Sequence, residues 1–134
     1  MNKLERELIR DEGLRLKPYY DSVGKLTIGI GRNLDDNGIS EAEALVMLRN
    51  DIANSQRELE RFGWFRQLDS RRKDAILNMH FNLGLPRLLS FKKMIAALEQ
   101  GKWDKAADEA LNSRWAEQVG ERAVRISSII RHGE

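Results

Sequence analysis

The sequence has no cysteine and only two histidines, His80 and His132. The first absence excludes disulfide bonds and thiolate metal sites. Two distant histidines do not predict a metal cluster, and we expect His80 to be an ordinary helix-surface residue. No apolar run approaches the ~18 residues that a transmembrane helix needs. Residues 1–7 are charged where a secretory signal would need an apolar segment, so we expect synthesis in the cytosol without stable membrane insertion.

Composition and charge are those of an ordinary globular chain. The 134 residues are 41% hydrophobic and 33% charged, which suits one domain or two small lobes. Residues 1–67 carry 11 basic and 12 acidic side chains, and residues 68–134 carry 12 and 9. The slight positive excess of the second half suits an anionic polymer such as cell wall or nucleic acid, and it is too small to choose between them.

An amphipathic helix is predicted at the N-terminus. Asn2 is an N-cap residue with Glu5 at the capping-box position, and Gly13 is the expected stop. The apolar face of this helix consists of Leu4, Leu8 and Ile9. Glu12 continues that stripe, so we expect burial to help its carboxyl group hold a proton.

Residues 14–32 change period and predict a small sheet of two or three strands, with a turn at 22–25. The polar segment 33–38 then resembles the start of a calcium loop. Position twelve of that loop is Ala44, where a bidentate glutamate is required. A plain turn is therefore predicted there, with no bound metal.

The rest of the chain predicts helices. Ser40 starts a long helix, Glu43 completes a second capping box, and the helix runs to about Arg61 as a connector between lobes. Ser90 is the expected cap of a later helix. The helices predicted beyond residue 64 cover about 69–83, 90–98, 103–111, 114–118 and 121–131.

Two carboxylates and a threonine form the most informative pattern. Eight residues separate Glu12 from Asp21, and five separate Asp21 from Thr27. The glutamate ends the first helix, and the other two residues lie on or beside short strands. An acid against an apolar face, opposite a second carboxylate in a polar setting, is suited to cleaving a glycosidic bond.

Longer motifs surround this pattern in both halves of the chain. The first group comprises Arg10-Asp11-Glu12-Gly13-Leu14-Arg15-Leu16-Lys17, Tyr19, Asp21 and Thr27-Ile28-Gly29-Ile30-Gly31. The second comprises Arg71-Arg72, Ala75-Ile76-Leu77-Asn78-Met79, Phe81, Gly84, Trp103-Asp104, Ala106-Ala107, Ser113-Arg114-Trp115, Arg122-Ala123 and Arg125. Running in register over nearly the whole chain, they resemble the T-even-phage-type lysozymes, a class of endolysins.

The resemblance implies a muramidase that hydrolyses the β-1,4 bond between N-acetylmuramic acid and N-acetylglucosamine in peptidoglycan, without a cofactor. By position, Glu12 would be the general acid, and Asp21 and Thr27 would place and activate the water. The implied mechanism is inverting, for which the carboxyl groups stand roughly 6.5–9.5 Å apart. The substrate-binding residues implied by position are Gly31, Asn33, Phe81, Trp115, Gln118 and Arg122.

The resemblance also implies an α+β lysozyme-like fold in which a small antiparallel β lobe is joined by a long helix to a mainly helical lobe. The β lobe would cover about 13–39 and the connecting helix about 40–61. The helical lobe would cover about 62–134 and receive the first helix, 2–12. The cleft between the lobes would bind the glycan.

Three ion pairs are expected from the aligned positions. Arg32 stands where the family commonly has histidine, and we predict that it pairs with Asp51 on the connector helix. On the last helix, Arg122 would approach Glu12. Its neighbour on the same face, Arg125, would approach Asp11.

Two other functions remain open. A lytic transglycosylase would cut the same bond and leave an anhydro sugar, and a non-catalytic wall- or nucleic-acid-binding protein would use the basic half of the chain. As a muramidase the protein would act as a monomer, without nucleic acid, in phage-mediated bacterial lysis. It would be located in the host bacterial cytoplasm and would reach the periplasmic cell wall through a holin-made lesion or on a phage particle.

Overall fold

The computed structural model describes residues 1–134 and contains ten helices and one sheet. The helices are α1 (Lys3–Glu12), α2 (Leu34–Asn37), α3 (Glu41–Leu59), α4 (Gly63–Arg66), α5 (Ser70–Leu83), α6 (Leu85–Leu89), α7 (Lys92–Glu99), α8 (Trp103–Leu111), α9 (Arg114–Val119) and α10 (Glu121–His132). The strands are β1 (Arg15–Tyr20), β2 (Leu26–Gly29) and β3 (Arg32–Asn33). The predicted α+β class is therefore confirmed. None of the helices combines the length and apolar character needed to span a membrane.

The chain divides into two compact units, Met1–Met47 and Leu48–Glu134, and α3 continues from the first into the second. The first unit contains α1, α2 and the sheet, and the second contains α4 to α10. The lobe boundaries predicted from sequence, including the grouping of the first helix with the later ones, stay a prediction.

The sheet of the first unit is antiparallel with strand order β1-β2-β3. Thr27 on the central strand pairs with Tyr19 on one side and Asn33 on the other, and it is 3% exposed. The register of β1 shifts between Arg15 and Tyr19, a stretch that contains Pro18. Proline has no N–H to donate, and it is tolerated here because β1 is an edge strand.

At the start of both helices predicted to have a capping box, the expected residue stands at the N-cap. The side chain of Asn2 accepts from the N–H of Glu5 at 2.8 Å. At the start of α3, Ser40 Oγ accepts from the N–H of Glu43, and Glu43 Oε1 accepts from the N–H of Ser40 at 2.8 Å. These reciprocal bonds satisfy N–H groups that have no partner within the helix.

Two local predictions are corrected. The turn expected at 33–38 contains the one-turn helix α2, because the Asn33 side chain caps it by accepting from the N–H of Asp36 at 3.0 Å. Ser90 does not cap a helix: its hydroxyl donates to the carbonyl of Arg87, and Phe91 stands at the N-cap of α7. Ser90 instead ends the short helix α6, which the periodicity did not predict.

The second unit holds a hydrophobic core to which α4 through α10 all contribute. Its largest fully buried side chains are Phe65, Leu59, Ile76, Met79, Leu88, Met94, Ile126 and Ile130.

One arginine connects the start of α5 with the end of α10 in this unit. Arg72 at the start of α5 donates to the carbonyls of Ile130 and Arg131 at 2.6 and 3.1 Å, and it stacks on the Trp103 ring at 4.1 Å. These bonds satisfy carbonyls at the C-terminal end of α10, which have no partner within the helix.

The prediction that His80 is a helix-surface residue is wrong. Its side chain is 11% exposed, and its Nε2 lies 2.8 Å from Oε1 of Glu58. Its Nδ1 is buried without a hydrogen-bond partner. The last turn of α3 lies over this face of α5, which is a long-range contact that helical periodicity does not reveal.

The predicted pairing of Arg32 with Asp51 is also wrong. The Arg32 guanidinium donates to both carboxylate oxygens of Glu43, at 2.9 and 2.6 Å, and to the carbonyl of Gly38. Asp51 lies eight residues farther along α3, which is about 12 Å of helical rise. The partner of Arg32 is therefore the capping-box glutamate of the first turn.

Leu88→Ala should lower the free energy of unfolding by about 2–5 kcal/mol, because it removes a fully buried side chain and leaves a cavity. Urea denaturation followed by circular dichroism measures this loss. Leu111→Ala is the matched control, since Leu111 is 40% exposed in the same unit. An equal loss in the two variants would contradict the placement of Leu88 in the core.

Glu43→Gln should destabilise the protein in a pH-dependent way. The Arg32 guanidinium, followed by the Ser40 backbone N–H, lowers the pKa of Glu43 from 4.5 to about 2. A carboxylate with a lowered folded-state pKa stabilises the fold above the unfolded value, and this contribution is lost as the pH falls. The difference in unfolding midpoint between wild type and variant should be full above pH 4.5 and should shrink towards pH 2.

Thermal unfolding at several pH values between 2 and 7 measures that difference. Glu41→Gln is the control, because Glu41 lies on the same helical turn but has no ion-pair partner. A Glu43→Gln effect that stays constant over this range would contradict the ion pair with Arg32.

Candidate active site

Asp21 is anchored at the turn between β1 and β2 by hydrogen bonds to one of its carboxylate oxygens. Its Oδ1 accepts from the backbone N–H groups of Val23 and Lys25, at 2.9 and 2.8 Å. Its own N–H donates to the carbonyl of Lys25, and its carbonyl accepts from Gly24. The other oxygen, Oδ2, has no partner in the protein. Asp21 therefore presents one free carboxylate oxygen in a fixed orientation.

Thr27 is coupled to the same turn through its hydroxyl group. Thr27 Oγ1 donates to the carbonyl of Lys25 at 2.8 Å. That carbonyl also accepts from the N–H of Asp21, so one backbone oxygen links both predicted site residues. Since its proton is already donated, the hydroxyl can offer a water molecule only its lone pairs. A water held between Thr27 Oγ1 and Asp21 Oδ2 would therefore donate one hydrogen bond to each of these oxygens.

Glu12, the last residue of α1, lies against the backbone of Gly31. A Cβ atom placed on Gly31 would stand 2.7 Å from Glu12 Oε2, so the carboxyl group would have to move away from its position. Gly31 also has a φ of +71°, which favours glycine for a second reason. The structure thus brings together the predicted acid and one predicted substrate-binding residue.

The predicted burial of Glu12 on the apolar stripe is wrong. Glu12 is exposed, as are Leu4 and Leu8, and no residue of α1 is buried. The sheet of the first unit has only three short strands and is too small to cover a ten-residue helix. Its position against Gly31, rather than burial, is what distinguishes Glu12 from other exposed glutamates.

Two acidic residues that the sequence pattern missed support this site. Asp35 Oδ2 on α2 accepts from the N–H of Leu26 at 2.7 Å, and Asp36 Oδ1 accepts from Lys25 Nζ at 3.0 Å. The hydrogen bond and charge of Asp36 raise the pKa of Lys25, with smaller contributions from other carboxylates that include Asp21. In the sequence these two residues stood out only as part of the segment 33–38, which resembles the start of a calcium loop. In the structure no group of three or more side chains of the ligating types could hold a metal ion.

The other predicted substrate-binding residues of the first and second units differ in their exposure. Asn33, in the first unit, caps α2 and is half-buried. Phe81 is 51% exposed and Gln118 is exposed, so both can contact a ligand. Trp115 is 3% exposed, and its indole N–H donates to Asn82 at 2.9 Å. Its ring therefore contributes mainly to packing.

Arg122 is held within the second unit by Asn78. Its guanidinium donates to the side-chain oxygen of Asn78 at 2.7 Å and to the backbone carbonyl at 3.2 Å. Asp11, the expected partner of Arg125, pairs with Arg10 at 3.2 Å. The expected approach of Arg122 to the predicted acid, and that of Arg125 to Asp11, stay predictions.

Comparisons with known proteins identify the family of this chain. The sequence profile of the phage lysozyme family matches residues 10–132. Two relatives from Dictyostelium discoideum, probable T4-type lysozymes 1 and 2, are 31% and 30% identical over 92% and 99% of this chain. They are matched over 90% and 96% of their own lengths.

A third relative is a much longer protein. The pre-baseplate central spike protein of Enterobacteria phage T4 is 31% identical over 94% of this chain, which spans 27% of the spike protein's length. The profile match and the two relatives of similar length lead to the same assignment. The chain belongs to the phage lysozyme family and is a glycoside hydrolase.

Proposed function

We propose that this chain is a muramidase, a peptidoglycan hydrolase that cleaves the β-1,4 bond between N-acetylmuramic acid and N-acetylglucosamine. Glu12 acts as general acid, and Asp21 and Thr27 hold the attacking water. The observation that carries the proposal is the anchoring of Asp21: two backbone N–H groups hold Oδ1 and leave Oδ2 free. A base fixed in this way can orient a water molecule before the reaction begins.

The proton movements follow from these roles. Water attacks the anomeric carbon while Asp21 Oδ2 takes its proton, and the bond from that carbon to the leaving oxygen breaks. Glu12 donates its proton to the leaving oxygen, so the sugar product leaves with a hydroxyl group. Glu12 is then ionised and Asp21 is protonated. Exchange with solvent resets both, which the exposure of Glu12 favours.

We propose sugar-contacting residues for each unit separately. Gly31 and Asn33 would contact the sugar beside the catalytic residues, since Gly31 lies against Glu12. Phe81 offers an exposed ring face, and Gln118 offers an exposed amide. Two further residues of the second unit stay predictions: Arg122, and Trp115, whose buried ring leaves little surface for a ligand. For Arg122 the bonds to Asn78 supply a fixed guanidinium orientation.

Hydrolysis is favoured over a lytic transglycosylase reaction by the same anchored aspartate. A transglycosylase needs no residue that positions an external water, because the sugar's own hydroxyl group closes the anhydro ring. Asp21 and Thr27 share the carbonyl of Lys25 and present acceptors for a water. Mass spectrometry of the products separates the two reactions by the presence or absence of the anhydro sugar.

The biological setting we propose is phage-mediated lysis. The protein would be made in the bacterial cytoplasm, act as a monomer, and reach the periplasmic wall through a holin-made lesion or on a phage particle. The particle route is supported by the similarity of nearly the whole chain to a segment of a phage spike protein.

Glu12→Gln should lower hydrolysis by at least ~10²-fold while leaving the fold intact, because the amide cannot donate a proton to the leaving oxygen. The decrease in turbidity of permeabilised Gram-negative cells measures activity, and circular dichroism checks folding. The matched control is Glu7→Gln, on the same helix. Clearing of cells by Glu12→Gln at the wild-type rate would refute the assignment of the acid.

Gly31→Ala should reduce activity much more than Gly29→Ala. Both glycines have similar positive φ values, +71° and +72°, so the backbone strain of the two substitutions is alike. A Cβ at Gly31 would displace the Glu12 carboxyl group, whereas a Cβ at Gly29 would meet no atom within 4 Å. We expect a difference in activity of about 10²-fold, the cost of displacing a catalytic group by ~1 Å.

Turbidity rates measure the activity of the two glycine variants, and thermal unfolding compares their stability. Equal activity in variants of equal stability would show that Glu12 does not act from its position against Gly31.

A further inference from the structure

The backbone of Lys25 joins the two residues that we assign to the attacking water. Its N–H donates to Asp21 Oδ1 at 2.8 Å, and its carbonyl accepts from the N–H of Asp21 at 2.9 Å and from Thr27 Oγ1 at 2.8 Å. A shift of the backbone at this one residue would therefore move the carboxylate and the hydroxyl group together. What holds Lys25 in place decides how well the water is oriented.

Contacts from α2 hold this segment in place. Lys25 Nζ lies 3.0 Å from Asp36 Oδ1, and the other oxygen of Asp36 accepts from the side chain of Asn33 at 2.9 Å. The next residue, Leu26, donates its N–H to Asp35 Oδ2 at 2.7 Å. The acidic pair thus bonds to two consecutive residues between the proposed base and Thr27.

We propose that Asp36, assisted by Asp35, is a positioning residue for the hydrolytic reaction, acting through Lys25 on Asp21 and Thr27. This inference rests on the proposed function, since it assumes that Asp21 is the base. Neither acid touches substrate in this proposal. They set the orientation of the groups that do.

The ion pair of Lys25 and Asp36 gives the proposal a distinctive consequence. It is partly exposed, with side-chain exposures of 42% and 53%. The hydrogen bond and charge of Asp36 raise the pKa of Lys25, with smaller contributions from Asp35 and Asp21. Removing either partner breaks the same contact, so the effects of the two substitutions should not add.

The test compares Asp36→Ala, Lys25→Met and the double variant by the kcat and KM of the hydrolysis of purified peptidoglycan. Each single variant should lose about tenfold in kcat, since the base and the water are less well oriented. KM should stay at the wild-type value, because neither residue touches substrate in this proposal. The double variant should lose no more than either single variant, since both substitutions break the same pair.

Asp108→Ala is the matched control. Asp108 is an exposed acid of the second unit whose carboxylate accepts from Arg131 at 2.6 Å. This variant removes a comparable ion pair and should retain the wild-type kcat and KM. Thermal unfolding checks that all variants are folded at the assay temperature, as expected for ion pairs at the surface.

Asp21→Asn separates failure of this inference from failure of the proposed function. If Asp21→Asn is inactive while Asp36→Ala and Lys25→Met keep the kcat and KM of Asp108→Ala, only the positioning role is overturned. A loss expressed in KM alone, or losses that add in the double variant, also overturn it. If Asp21→Asn keeps the wild-type activity, the proposed base is wrong, and the inference that rests on it is overturned as well.

Discussion

The turn at residues 21–25 is the constraint on which the arrangement of the first unit depends. Asp21 closes it by accepting two backbone N–H groups on one oxygen, and Lys25 completes it by donating one of them and accepting from Asp21 and Thr27. An aspartate in such a turn usually satisfies its own backbone. Here the same bonds also orient the second carboxylate oxygen, so the turn is both a structural element and the support of a proposed catalytic group.

The two units obtain their stability in different ways. The second unit has a continuous apolar core and a half-buried arginine, Arg72, that satisfies carbonyls at the end of α10. The first unit has a small sheet and no fully buried large side chain, so polar contacts carry a greater share of its order. Glu43 is an example of such a polar contact, because its one carboxylate both completes the capping box of α3 and binds Arg32.

Most predictions based on neighbours along the chain agree with the structure, the exceptions being the Ser90 cap and the plain turn at 33–38. The caps at Asn2 and Ser40 depend on residues three positions away, and the hydrophobic period is a property of each helix alone. Predictions that depended on long-range contacts were less accurate. Arg32 binds Glu43 rather than Asp51, and His80 is covered by the end of α3. In both cases the sequence identified a residue that needed a partner without identifying the partner.

The sequence by itself determined the α+β class, most helix positions, and the trio Glu12, Asp21 and Thr27 as candidates, because local periodicity, capping signals and family motifs are all visible in one dimension. Tertiary structure alone decided which atoms of these residues are free. It leaves Asp21 Oδ2 without a partner, uses the proton of Thr27, and exposes Glu12 beside Gly31. The physical reason is that hydrogen bonding and burial depend on neighbours in space, and the folded backbone selects those neighbours.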